Sequence, residues 1–230
     1  MICPICLTDM HPGPKDYLKC PACNLYRKEV LPKKKDLLNK LRKCVLRASN
    51  SEEGIALRLK EARRQLDICS PYLPEGSIRY FDVGAAAGFM LKEGKERGWI
   101  VDGNEVCEKN VILSKKVFDI DIRYGFLEDF EYSEKYHIIT MWNTLEHLLY
   151  PYKSLKFCYS MLEDRGIISI EVPIKRTDGD IVKRYEAPHM TEFNEKNIDK
   201  MMQMSGYEVI YSNVINKSKI NIIGRKYAAT

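Results

Sequence analysis

Residues 78–88 read Ile-Arg-Tyr-Phe-Asp-Val-Gly-Ala-Ala-Ala-Gly, and residues 100–105 read Ile-Val-Asp-Gly-Asn-Glu. An apolar run that ends in glycine and reopens into a helix within a few residues requires a tight strand-to-helix turn. Glycine in such a turn lets backbone amides approach a ligand at the carboxyl end of a sheet. Asp82 precedes the turn, where it is expected to accept a hydrogen bond from a ligand amine. Glu105 closes the second run, twenty-one residues after Gly84, where a carboxylate can accept from both hydroxyls of a ribose. Gly84 and Gly88 taken alone could be packing glycines. The order strand, turn, helix, strand, acid is what argues for a nucleoside site.

From residue 78 onward β-rich runs alternate with helical ones. Strands are predicted at 78–83, 100–104, 120–124, 136–142 and 167–172, with helices around 88–97, 106–116, 152–162 and 194–205. This alternation implies βαβ units and a parallel sheet. Two last strands, 207–212 and 220–227, have no helix between them, which implies an antiparallel terminal pair.

These residues carry a resemblance to class I S-adenosylmethionine-dependent methyltransferases, over about residues 50–227. Asp82-Val83-Gly84-Ala85-Ala86-Ala87-Gly88 resembles that family's acid-x-Gly-x-Gly-x-Gly motif, with Ala86 in place of the middle glycine. Phe126, Leu127 and Glu128 follow the third strand, where these enzymes commonly contact adenine. MWNTLEHLLYP resembles the Glu-His segment of small-molecule and ubiquinone-type methyltransferases. MLEDRGIISIEVP and HMTEFNEKNIDKMMQMSGYEVI are similar to the segments that follow it. The resemblance implies a Rossmann-like α/β fold and S-adenosylmethionine held by Asp82, Gly84, Ala86, Gly88, Glu105, Leu127, Glu128 and Asn143. A dinucleotide dehydrogenase shares the turn and the acid, but lacks the Trp142–His147 segment and the terminal strand pair.

At the N-terminus, Cys3-Pro4-Ile5-Cys6 and Cys20-Pro21-Ala22-Cys23 make two C-x2-C pairs separated by thirteen residues. Four thiolates at this spacing can close a tetrahedral structural Zn2+ site. A thirty-residue piece cannot bury much core, so the metal is expected to supply its folding free energy. Residues 1–30 are therefore read as a zinc ribbon, with a core separate from that of the donor site. Cys44, Cys69, Cys107 and Cys158 show no pairing spacing and are read as buried thiols.

Residues 31–50 are basic, and Leu37, Leu38, Leu41, Val45 and Leu46 recur at helical spacing, which predicts a connecting helix. Ser49 and Asn50 lie three residues before Glu52 and Glu53, the capping-box spacing for a second helix. That helix buries Ile55, Leu59, Ala62, Leu66 and Cys69, and Pro71 and Pro74 stop it. Residues 51–230 are assigned to the methyltransferase domain. Residues 1–74 hold 15 Lys/Arg against 8 Asp/Glu, so the modest net charge of +5 is concentrated there. Such a surface suits nucleic acid, a phosphorylated small molecule or solvent. No run reaches the roughly 18 apolar residues of a membrane helix, and MICPICLTDM lacks the pattern of a signal peptide. A cytoplasmic, reducing location is expected.

Methyl transfer from a sulfonium is an in-line displacement, and an oxygen or carbon nucleophile usually also needs a base. Four histidines are present, and two fall where a base is wanted. His147 follows Glu146 beyond the fourth strand. His189 lies in RYEAPHMTEF beside Tyr185 and Glu186. In ubiquinone-type relatives a Glu-x-x-Glu-His run binds a divalent ion, and the corresponding residues here are Asn143, Glu146 and His147. His189 resembles a catalytic histidine of sugar C-methyltransferases that carry N-terminal zinc modules, with Pro188 in place of their preceding Glu. His189, His147 and Tyr185 are the candidate catalytic residues. The expected acceptor is a small metabolite, sugar nucleotide or glycan precursor. The alternatives are a tRNA or rRNA methyltransferase gripping phosphates through the ribbon and residues 33–64, and a non-catalytic module that only binds ligand. Nothing in the sequence specifies an oligomeric state.

Overall fold

The computed structural model describes residues 1–41, 51–181 and 189–228. Its centre is a seven-stranded sheet in the order β10-β11-β8-β7-β4-β5-β6. Here β4 is Arg79–Val83, β5 Ile100–Glu105, β6 Arg123–Tyr124, β7 Tyr136–Trp142, β8 Leu162–Pro173, β10 Tyr207–Ile215 and β11 Lys219–Lys226. Adjacent strands from β6 to β8 pair in parallel, while β11 runs antiparallel to both β8 and β10. This is the expected α/β sheet with its antiparallel terminal pair.

The strands at the centre are near-continuous apolar runs because helices cover both faces. Ile138, Ile139 and Met141 of β7 and Ile167, Ile168 and Ile170 of β8 are fully buried. The covering helices are α2 (Glu52–Cys69), α3 (Phe89–Glu96), α4 (Glu108–Phe118), α5 (Pro151–Met161) and α7 (Glu195–Met204), with a one-turn α6 at Asp178–Ile181. Pro151 opens α5, where a missing N–H costs nothing, and Asn194 caps α7 by accepting from the Asn197 amide at 3.0 Å. Two expectations are corrected. The cap of α2 is Ser51, whose Oγ accepts from the Gly54 amide at 3.1 Å, whereas Ser49 and Asn50 lie outside the described residues. The third strand shrinks to Arg123–Tyr124, because only those two residues pair with β5, while Ile120 and Ile122 turn into the apolar cluster.

The N-terminal piece forms its own small sheet, in the order β1-β2-β3-β9, from His11–Pro12, Tyr17–Lys19, Tyr26–Lys28 and Thr191–Glu192. The last of these strands comes from far along the chain. The expectation of a separate core fails, because Cys3, Ile5, Leu18, Cys20 and Leu25 pack in one cluster with Phe193, Ile198 and Met201. A piece this small buries apolar surface by borrowing the face of α7. Helix α1 covers Lys34–Leu41, and residues 42–50 of the expected connecting helix, with Cys44, lie outside the described residues. Among the described residues no helix is long and apolar enough to cross a membrane.

Candidate active site

A cavity of about 810 Å3 opens at the carboxyl ends of β4, β5 and β7. At its floor is the glycine turn. Gly84 has φ +71°, Ala86 +48° and Gly88 +81°. The amides of Gly84 and Ala85 both donate to the Asn104 carbonyl, at 3.0 and 2.9 Å, which ties the turn to the end of β5. A Cβ on Gly84 would lie 2.7 Å from Thr144 Oγ1, and one on Gly88 would lie 2.4 Å from Ser114 Oγ of α4. Gly84 is thus required by the cavity wall and Gly88 by the approach of α4. Ala86 holds a left-handed conformation that glycine adopts freely.

Glu105 accepts from the Ala86 amide at 2.8 Å and from the Cys107 amide at 2.7 Å. Burial pushes its carboxyl up, and those amides pull it back. A carboxylate offers about four lone-pair sites, so the backbone amides of Cys107, Ala86 and Val106 leave room for a further donor. Asp82 behaves differently. It is buried within the sheet, accepts from Thr140 Oγ1 at 2.5 Å, and Thr140 in turn meets the Tyr80 hydroxyl at 2.7 Å. Burial, with the nearby Glu105 charge, raises Asp82 to about 7.

Of the residues singled out from sequence, Gly84, Ala86, Glu105, Leu127, Glu128, Asn143 and His147 line this one cavity. Asp82, Gly88 and His189 do not. Tyr185 and Glu186 lie outside the described residues. Glu128 accepts from Ser154 Oγ at 3.1 Å. Asn143 takes φ +50°, which asparagine tolerates better than most residues, and it donates its amide to the Glu171 carbonyl at 2.8 Å.

Reasoning from motifs missed several residues here. Arg58 of α2 and Lys219 of β11 line the cavity, as does Trp142 of the Trp142–His147 segment singled out from sequence. Behind them Glu171 of β8 accepts from Lys219 at 2.7 Å and from Gln65 at 2.6 Å, and Gln65 accepts from Asn221 at 2.7 Å. Neither α2 nor β11 carries a local motif. Lys219 and Asn221 stand out in the apolar start of β11, whereas Arg58 is one of many charged residues along α2 and nothing set it apart.

Leu145–His147 form a single 3-10 turn. His147 lines the cavity, and His189 lies behind it with ring centroids 4.8 Å apart. His189 Nδ1 is 2.9 Å from Glu192 Oε1, a partner the sequence reading did not name. Burial pushes the Glu146 carboxyl up to about 8, and its Oε2 has no hydrogen-bond partner among the described residues. One ligand atom from each of Glu146, His147 and His189 lies within 4.8 Å of the others. Asn143 donates its side-chain Nδ2–H to Glu171 Oε1 at 3.4 Å. His189 is thus the ligand-type side chain that stands beside Glu146 and His147.

The four N-terminal sulfurs also lie within 4.8 Å of one another. Cys3 and Cys23 sulfurs are 3.8 Å apart, which matches the ~3.8 Å edge of a tetrahedron with ~2.3 Å metal–sulfur bonds. Each C-x2-C pair ends in a left-handed residue, Leu7 at φ +57° and Asn24 at +54°. Their amides donate to the Cys3 and Cys20 carbonyls, at 3.1 and 2.9 Å. The two halves are thus near-copies facing a common centre.

Residues 54–212 match the family described as "Methyltransferase domain". A ubiquinone biosynthesis O-methyltransferase of Bradyrhizobium diazoefficiens is 26% identical over 100 residues, which span 41% of this chain and 40% of that protein. Among solved structures, the 1,6-didemethyltoxoflavin-N1-methyltransferase of Burkholderia thailandensis superposes with a TM-score of 0.65. That structure holds 1,6-didemethyltoxoflavin and S-adenosylhomocysteine, and the match covers 96% of this chain and 100% of that one at 12% identity. An S-adenosylmethionine-dependent methyltransferase from Thermotoga maritima gives 0.62 over 83% and 99% of the two chains, at 18% identity. The sheet order, the glycine turn followed by its acid, and a family match over most of the length agree. The chain belongs to the methyltransferase-domain family, on the class I S-adenosylmethionine-dependent methyltransferase fold.

Proposed function

We propose that this protein transfers the methyl group of S-adenosylmethionine to a small-molecule acceptor that meets it at His147. The observation that carries this is that one cavity is lined both by the nucleoside-type residues and by His147. At about 810 Å3 it lies in the upper part of the range for a single ligand, which leaves space for an acceptor beside the donor. S-adenosylmethionine supplies an electrophilic methyl on its sulfonium. Glu105 would accept from the ribose hydroxyls, Leu127 and Glu128 would hold the adenine, and the turn at Gly84 and Ala86 would let the backbone approach the ligand. Arg58 and Lys219 offer cations for the donor's carboxylate. His147 takes the acceptor's proton as the new bond to carbon forms, and the sulfur keeps the electrons of the broken bond.

His189, with Glu192 on its other nitrogen, backs His147. A second reading is favoured by the unpartnered Glu146 Oε2: Glu146, His147 and His189 would hold a divalent cation that polarises the acceptor. Metal analysis and Mn2+ titration of wild type and Glu146→Gln separate the two. A nucleic-acid acceptor draws less support, because three of the eleven cations in residues 33–64 have acidic partners. Lys34 pairs with Asp129, Arg63 with Glu93, and Arg64 with Glu61. Cys3, Cys6, Cys20 and Cys23 would hold one Zn2+, a closed four-thiolate site that stabilises the fold. Calorimetric titration with S-adenosylhomocysteine tests the donor site. Binding by wild type should weaken about 10- to 100-fold in Glu105→Ala, and wild-type affinity in that variant refutes the assignment.

A further inference from the structure

We infer that the N-terminal four-cysteine module is a working part of the acceptor site, because it clamps the His189–Glu192 pair in place behind His147. This rests on the reading that the acceptor meets His147. It holds whether that part of the cavity takes a proton or a cation, since both need His189 fixed.

The clamp has three points. Strand β3 pairs antiparallel with β9, setting Tyr26 opposite Glu192 and Arg27 opposite Thr191. The Lys28 amide donates to the Met190 carbonyl at 2.9 Å. The Tyr17 hydroxyl donates to the His189 carbonyl at 2.8 Å. On the opposite side the Met190 amide donates to the Glu146 carbonyl at 2.7 Å, and Arg27 donates to the Leu149 carbonyl at 2.7 Å, two residues past His147. Residues 189–192 are buried between these two surfaces.

A two-residue strand has no independent stability, so β9 keeps its place through β3 and the Glu146 turn. Glu192 is then held where its carboxylate accepts the His189 Nδ1–H. That bond directs the other ring nitrogen away from Glu192 and selects one tautomer. Burial and the Glu192 charge keep the Tyr17 phenol in its protonated, donating form. Tyr17 and Glu192 are therefore positioning residues that act through His189.

The test uses the full chain labelled with 15N-histidine, whose four histidines give few signals. Wild-type His189 should show a single Nδ1–H tautomer, and Tyr17→Phe and Glu192→Gln should each convert it to a mixture. Amide exchange at residues 190–193 should rise about fivefold in Tyr17→Phe, the loss expected for one hydrogen bond, while residues 83–88 stay unchanged. Transfer of labelled methyl from S-adenosylmethionine to acceptors in a cell extract should fall about fivefold in Tyr17→Phe, with S-adenosylhomocysteine affinity within about twofold. In a His189→Ala background, Tyr17→Phe should cause no further loss. Wild-type tautomer and exchange in Tyr17→Phe, or equal losses in both backgrounds, overturns the inference. Wild-type transfer by His147→Ala refutes the underlying acceptor reading instead, and leaves the tautomer and exchange results to judge the clamp.

Discussion

Gly84→Ala perturbs the floor of the cavity at a point where two separate costs can be measured apart. The first is conformational: φ is +71°, and an L-residue in the left-handed region loses about 1–2 kcal/mol. The second is steric. The new Cβ would lie 2.7 and 2.8 Å from Thr144 Oγ1 and Cγ2, both on the backbone-anchored turn that leads to His147. Overpacking of this kind costs about 1–3 kcal/mol, so the variant should lose about 3 kcal/mol in all. For a chain of this size that lowers the melting temperature by roughly 6–12 °C. Thr144→Ala removes the two atoms in conflict and leaves a Cβ at 3.4 Å, an ordinary contact. The double variant should recover the steric part and retain about 1–2 kcal/mol of conformational strain. Urea unfolding of wild type, both single variants and the double variant gives the cycle. Stability of Gly84→Ala within about 0.5 kcal/mol of wild type, or no recovery on adding Thr144→Ala, refutes the reasoning.

Asp82 gives a pH test. Burial raises its folded-state value to about 7, while an unfolded aspartate releases its proton near 4 (about 3.9). Its protonated form therefore favours the folded state fully below about pH 4, and that contribution is lost as pH rises toward 7. Asp82→Asn should flatten the decline of urea stability between those pH values, and an unchanged slope counts against the assignment. Cys20→Ser should release about one zinc per chain in metal analysis, and the shared cluster with Phe193 and Met201 predicts faster amide exchange in α7 as well. A purified wild type without zinc refutes the metal reading. Glu171→Ala should strand Gln65 and Lys219 and lower stability by about 2–4 kcal/mol in urea unfolding. A loss below about 1 kcal/mol would mean that the buried network contributes little.

Much of the architecture was legible in local pattern. The β-rich runs placed β7 at its observed bounds and β4, β5 and β11 within a residue of theirs, because burial on both faces of a parallel sheet demands unbroken apolar strands. Strand β8 begins five residues earlier than expected. The turn at Gly84 and its acid Glu105 were legible for the same reason: positive φ and a carboxylate held by backbone amides are conditions that few residues meet. The two C-x2-C pairs were legible because ligand geometry restricts spacing.

What the sequence determined alone was therefore whatever depends on neighbours along the chain: the sheet's element order, the glycine turn, the cysteine spacing and the His147 turn. Tertiary structure decided where side chains on those elements point and what distant segments bring to them. Asp82 faces Thr140 rather than the cavity, since its position on a central strand aims it into the sheet. His189 stands behind His147, and its partner Glu192 is fixed by a strand some 165 residues earlier, whose pairing no local signal encodes. Lys219 and Arg58 reach the cavity from opposite ends of the chain. Contacts of this kind form because packing two apolar surfaces together releases water from both, and periodicity names each surface without naming the surface it meets.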